Sequence, residues 1–183
     1  MKAIDRILQK WRIAKAKPYI RNGARVLDIG CGDGILFQQL GSRISGGIGI
    51  DPSLDKSQGF GTFRIISGWF PNDLPDSEPF DVITMLAVLE HIPEKEYCQT
   101  ATACERLLRP GGCLIITVPS PLVDRLLSVM KFGGLIDGME LHQHHGFDPG
   151  ITPSIFSTTN LSLVRKEKFQ LGLNNLFLFR KAD

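Results

Sequence analysis

The 183-residue sequence has no run of apolar residues near the roughly 20 that a bilayer-crossing helix needs, which sets aside helical membrane spanners. The opening MKAIDRILQKWRIAKAK has no uncharged apolar stretch and no small-residue cleavage site. It therefore lacks the pattern of a secretory signal, and a cytoplasmic protein is expected. The four cysteines, Cys31, Cys98, Cys104 and Cys113, form no C-x-x-C pair and no metal-ligand spacing. Cys98 and Cys104 fall on a helical pattern and Cys113 inside an apolar strand, so buried free thiols are expected at all three. Aromatic residues make up only 8% and do not interleave with the basic ones, which argues against a nucleic-acid partner.

What is present suits one globular domain over residues 1–183, with 43% hydrophobic and 22% charged residues. The charge is unevenly spread. Residues 1–25 hold eight Lys and Arg against Asp5, a net +7, which leaves −5 for the remainder of a chain whose total is +2. Two readings of this basic start stay open: a solvated helix face set against an acidic body, or attraction of an anionic substrate, nucleic acid or lipid headgroup.

Ile4, Ile7, Leu8, Trp11 and Ile13 or Ala14 recur at helical spacing, which predicts an amphipathic helix over 3–17 within a basic segment 1–22. Short apolar strands are predicted at 25–29, 47–50, 63–66, 80–86 and 113–118, with helices at 34–40 and 94–108. Arg109-Pro-Gly-Gly is expected to break the chain before the fifth strand. Residues 163–170 and 176–181 lie too close together to pair other than antiparallel. The alternation predicts an α/β fold: a doubly wound, mostly parallel seven-stranded sheet with helices on both faces and an antiparallel last strand. Ligands in such sheets sit at the carboxyl ends of the strands.

The stretch VLDIGCGDG, Val26 to Gly34, leaves the first strand through glycines 30, 32 and 34. A nicotinamide dinucleotide site places its third glycine at the position held here by Ile35, and no Gly-Lys-Ser/Thr follows for a P-loop. Asp28, two residues before the first glycine, would repel a pyrophosphate and suits a cationic ligand. Asp51, 23 residues further on, ends the second strand. It reads either as a turn-forming Asp before Pro52 or as the acceptor of two ribose hydroxyls, and the glycine loop ahead of it favours the second.

With these pieces the chain resembles the class I S-adenosylmethionine-dependent methyltransferases, particularly the small bacterial type 11/12-like group. The resemblance rests on VLDIGCGDG (26–34), GIGID (47–51), FDVITMLAVLEHIP (80–93) and LLRPGGCLIITVPS (107–120), in the family's order and spacing. It implies S-adenosylmethionine as methyl donor, S-adenosylhomocysteine as product and a small-molecule acceptor. Position by position, it implies that Asp28, Gly30, Cys31 and Gly32 line the methionyl and ribose part and that Asp51 holds the ribose hydroxyls. Pro52 is then near the adenine, Gly68, Trp69 and Phe70 wall it, and Met85, Leu86 and Ala87 run beneath the sulfonium. An acid that the family often places after the third strand is missing from Ser67-Gly68-Trp69-Phe70. Related quinone-pathway O-methyltransferases carry Glu at the position of Ala87, in an E-x-x-E-H set that can hold a metal; the alanine here implies none.

Glu90-His91 is either an exposed capping pair at a helix start or part of the site. In GMELHQHHGF, His142, His144 and His145 are structural, or acceptor contacts, or a base, or metal ligands. The glycines around them suggest a lid over the acceptor side, within 121–160. Arg12 of the first helix is either solvated or, as the resemblance implies, meets the methionine carboxylate. A non-catalytic S-adenosylmethionine-binding module on the same fold stands as the alternative reading.

Overall fold

The structure, a computed structural model, describes residues 3–120 and 147–183. Helix α1 (Ala3–Ala16) leads into β1 (Arg25–Ile29), α2 (Ile35–Leu40) and β2 (Gly46–Asp51). There follow β3 (Gln58–Phe60), β4 (Phe63–Ser67), β5 (Phe80–Leu86), α3 (Tyr97–Leu107), β6 (Leu108–Pro119), α4 (Thr152–Ile155), β7 (Leu161–Phe169) and β8 (Asn174–Lys181). The strands form one sheet in the order β3-β4-β2-β1-β5-β6-β8-β7. Five central strands are parallel, while β8 runs antiparallel between β6 and β7.

Two-residue periodicity sorts the side chains into two cores. Leu27, Ile83, Met85, Leu114, Ile116 and Phe177 face α3, with Ala101, Cys104 and Leu107. Val26, Val82, Ile115 and Leu178 face α1 and α2, with Ile13, Ala16, Leu36 and Phe37. Because successive strand residues point to opposite faces, these near-continuous apolar runs demand cover on both sides.

At the amino edge, the buried Asp81 ties strand ends together. It accepts from the Arg25 backbone N–H at 2.7 Å and pairs with Arg109 at 2.9 Å and with Arg21. The Asp of the FDVITML run is thus a framework group, at the end of the sheet away from the glycine loop.

Several expectations change. The sheet has eight strands, because β3 pairs antiparallel with β4 through the two-residue Gly61-Thr62 hairpin. Three residues are too few to show alternation. Strand β6 begins at Leu108, since Arg109 to Gly112 stay in the strand through a register shift against β5 rather than breaking it. Helix α3 starts at Tyr97, after a 3-10 turn over Glu94–Glu96. Cys98 is exposed, whereas Cys31, Cys104 and Cys113 are buried free thiols. Most consequential is α1: Ile13 and Ala16, three apart, share its buried side, while Ile7 and Trp11, four apart, lie 52% and 54% exposed on the other. Of the expected lid, 121–146, including His142, His144 and His145, lies outside the described residues.

Candidate active site

The chain order places β1 centrally, with β2 and β4 added on one side and β5 and β6 on the other. The reversal between β1 and β5 is the switch point at which doubly wound sheets open a crevice. A cavity of about 550 Å³ lies there, walled by Ile29 and Gly30 at the end of β1, Ile50, Asp51, Pro52 and Ser53 at the end of β2, Trp69 and Phe70 after β4, and Ala87, Val88, His91, Ile92, Pro93 and Glu96 after β5.

Gly30 is held at φ +73°, and a Cβ there would come within 2.2 Å of Val88 Cγ2, so glycine is required twice over. Gly32, at φ +50°, has open space where a Cβ would stand. Its N–H donates to Asp51 Oδ2 at 2.8 Å, fastening the loop to the end of β2. Asp51 Oδ1 accepts from the Ser53 N–H at 2.8 Å and the Ser53 hydroxyl at 2.6 Å. The turn-forming and ligand-facing readings of Asp51 are therefore compatible: the turn orients a carboxylate that also borders the cavity.

Asp28 is 4% exposed and accepts from Thr84 Oγ1 at 2.6 Å. Burial pushes its carboxyl up to about 7; the Thr84 bond opposes this and the Asp51 charge adds to it. It sits under the loop rather than in the cavity wall. Cys31 is turned into the core against Gly49 and Phe37, its thiol raised far above the ordinary range, first by burial and then by Asp28 and Asp51.

The loop after β4 closes on itself: Trp69 N–H donates to Asp73 Oδ2 at 2.7 Å, and Asp73 N–H returns to the Trp69 carbonyl at 2.9 Å. An acid does follow β4, but it shapes the loop that presents Trp69 and Phe70. Ala87 takes φ +61° while its N–H bonds the Thr117 carbonyl at 2.8 Å, an uncommon conformation for a residue with a Cβ.

Glu90 and His91 part company. His91 is exposed and borders the cavity, whereas Glu90 is 5% exposed, so the exposed capping pair is not what forms. No described residue hydrogen-bonds the Glu90 carboxylate oxygens. Burial pushes Glu90 up to about 7, against the pull of the Arg12 guanidinium. Arg12 Nε donates to Asn174 Oδ1 at 3.4 Å, away from the cavity wall.

A family profile described as a methyltransferase domain matches residues 3–163. This chain belongs to the class I S-adenosylmethionine-dependent methyltransferases. Among curated relatives of this methyltransferase chain, the ubiquinone biosynthesis O-methyltransferase of Methylococcus capsulatus is 35% identical over 148 residues, covering 74% of this chain and 60% of that one. The enzyme of the same description from Rhizobium etli is 32% identical over 103 residues, 51% of this chain and 40% of that one. The chain thus spans about half the length of the curated relatives it matches. The N-methyltransferase NodS from Bradyrhizobium japonicum WM9, in complex with S-adenosylhomocysteine, shares the fold at a TM-score of 0.65 with 15% identity, over 96% of this chain and 88% of that one.

Of the methyltransferase residues singled out in the sequence, Gly30, Asp51, Pro52, Trp69, Phe70, Ala87 and His91 border the cavity. Asp28, Cys31, Gly32, Gly68, Met85 and Leu86 do not: Met85 is buried in the core facing α3 and Leu86 packs towards the other core. The sequence did not single out Ile29, Ile50, Ser53, Val88, Ile92, Pro93 and Glu96, which also line the cavity. The signal was the Ile92-Pro93 break, which folds the chain after β5 back over the crevice.

Proposed function

We propose that this chain transfers a methyl group from S-adenosylmethionine to a small-molecule acceptor at the cavity between β1 and β5. The observation that carries the reading is Asp51, a cavity-facing carboxylate at the end of β2 fixed by Gly32 and Ser53. One lone pair of Oδ2 remains for a ribose hydroxyl, and Ser53 Oγ can give way to the second. The volume of about 550 Å³ suits a nucleoside-sized ligand, and Asp28 can ionise beside a cation. These features fit the donor.

When bound, S-adenosylmethionine supplies an electrophilic methyl group on a sulfonium. The chain's contribution is to hold donor and acceptor in line and near contact, from which most of the acceleration can come. Asp51 fixes the nucleoside end, Trp69 and Phe70 offer aromatic cover, and Ala87 and Val88 form a wall that keeps water out. His91 and Glu96 border the same space and serve as proton acceptors if the acceptor must lose a proton. A small acceptor is supported by relatives described as ubiquinone biosynthesis O-methyltransferases. The same holds for a structural neighbour from Burkholderia thailandensis described with bound 1,6-didemethyltoxoflavin and S-adenosylhomocysteine.

S-adenosylhomocysteine at 100 times its dissociation constant is expected to stabilise the protein by about 2.7 kcal/mol, several degrees in Tm, while NADH does nothing. Stabilisation by NADH alone would refute the reading. S-adenosylhomocysteine release over a panel of hydroxyl, amine, thiol and quinone acceptors then separates an enzyme from a binding module.

A further inference from the structure

Helix α1 buries Ile13 and Ala16 but carries a second apolar stripe that faces away from the sheet. Ile7, Trp11 and Ala14 are exposed, while Arg12, Ile13 and Ala16 are half-buried or buried towards the body. A surface helix of a globular protein normally keeps its solvent side charged or polar. Besides Ile13 and Ala16 in the core, polar bonds dock the helix: Gln170 Nε2 donates to the Leu8 carbonyl at 3.2 Å, Arg12 bonds Asn174, and Lys15 pairs with Glu167 at 3.1 Å.

The Gln170 bond also brings the β7–β8 turn beside Ile7. That turn carries Leu171, 99% exposed at φ +56°, between Gln170 and Gly172, which also have positive φ. Water offers no reason to place a leucine at a fully solvated left-handed turn position. No charged residue occurs from Phe169 to Phe179, while Arg6 and Lys10 are exposed along one flank of the stripe and Lys15 stands on the other. Of the basic residues among the first 25, Arg21 and Arg25 lie at the opposite edge with Asp81, so the charge beside the stripe is that of Arg6 and Lys10. Because Asn174 pairs with Pro119 at the end of β6, this cluster lies at the carboxyl edge of the sheet, where the cavity opens.

We propose that the rim formed by Ile7, Trp11 and Leu171, flanked by Arg6 and Lys10, seats on an anionic lipid surface with the cavity mouth turned towards it. Apolar side chains of this kind bury into the headgroup boundary while lysine and arginine meet anionic lipids, and both contributions are needed for firm binding. The claim concerns the surface alone and is read without cofactor, so it can fail while the methyl-transfer reading stands, and the reverse.

The test is co-sedimentation of the full chain with phosphatidylcholine vesicles and with vesicles containing phosphatidylglycerol. Binding is expected to the anionic vesicles, weakening with salt and accompanied by a blue shift of tryptophan emission that Trp11→Phe removes. Leu171→Ser and Trp11→Ser are each expected to lower partitioning by roughly tenfold, and Lys10→Glu by several-fold, with the Tm and S-adenosylhomocysteine affinity retained. Leu171, fully solvated, can be changed without disturbing the fold. No binding to either vesicle, or equal binding to both, overturns the proposal. So does self-association without vesicle binding that Trp11→Ser disperses, which would assign the rim to a second copy of the chain.

Discussion

At the scale of single residues, the two carboxylates at the glycine loop meet opposite surroundings. Asp51 sits in hydrogen bonds that stabilise its charge, whereas Asp28 lies buried with Thr84 as its donor and a carboxyl raised to about 7. Asp51→Ala is expected to weaken S-adenosylhomocysteine binding by one to two orders of magnitude, from the loss of charge-assisted bonds of about 1.5–3 kcal/mol, while the protein still folds. Isothermal titration and circular dichroism check the two halves of that statement. For Asp28 the folded value lies above the unfolded one, so its contribution to stability is full below about 4 and is lost as pH rises through about 7. Asp28→Asn mimics the protonated form and should have a higher Tm than the parent at pH 8, the gap closing by pH 4. Glu90 shifts in the same direction, so the variant removes only part of the pH dependence.

At the scale of elements, the crossings and turns are where the sequence is most informative. Ala87, strained at the end of β5, predicts that Ala87→Gly gains roughly 1 kcal/mol, read as a small rise in denaturation midpoint. At the opposite edge, Asp81→Ala takes the acceptor from the Arg25 N–H, while the exposed Arg21 and Arg109 turn to water, and should cost about 1–3 kcal/mol without altering the cofactor affinity of the folded fraction. The core strands could be read from the chain because a parallel strand buried on both faces is a bounded apolar run, as in Val26-Leu27 or Val82-Ile83. Strand β3 could not, since Gln58–Phe60 owes its existence to the Phe60↔Phe63 pairing rather than to its own composition. The glycine loop and Asp51 were legible because their backbone and charge demands are local. The exposure of Ile7 and Trp11 on α1 was not: the period was correct, but which of its apolar residues face the sheet depends on partners such as Asn174 and Gln170, some 160 residues away.

At the scale of the whole molecule, one sheet separates two apolar layers, and the strands that divide them belong to both. Phe37 in one layer and Phe179 in the other should therefore report the same unfolding event. Phe37→Ala and Phe179→Ala are each expected to cost about 3–5 kcal/mol and to lower one common urea transition, additively in the double variant. Two separated transitions would show that the layers unfold independently. The division between edges is equally global: the amino edge is fastened by Asp81 and its arginines, and the carboxyl edge carries the glycines, the cavity and the exposed rim.

The Asp28–Thr84 pair also has a thermodynamic consequence for capture of the donor. On the proposed function, a carboxyl raised to about 7 beneath the glycine loop is expected to lose its proton to solvent when a sulfonium binds in the cavity above it. Calorimetric heats of S-adenosylmethionine binding at pH 7 should then scale with the ionisation enthalpy of the buffer, and the slope would count the protons released.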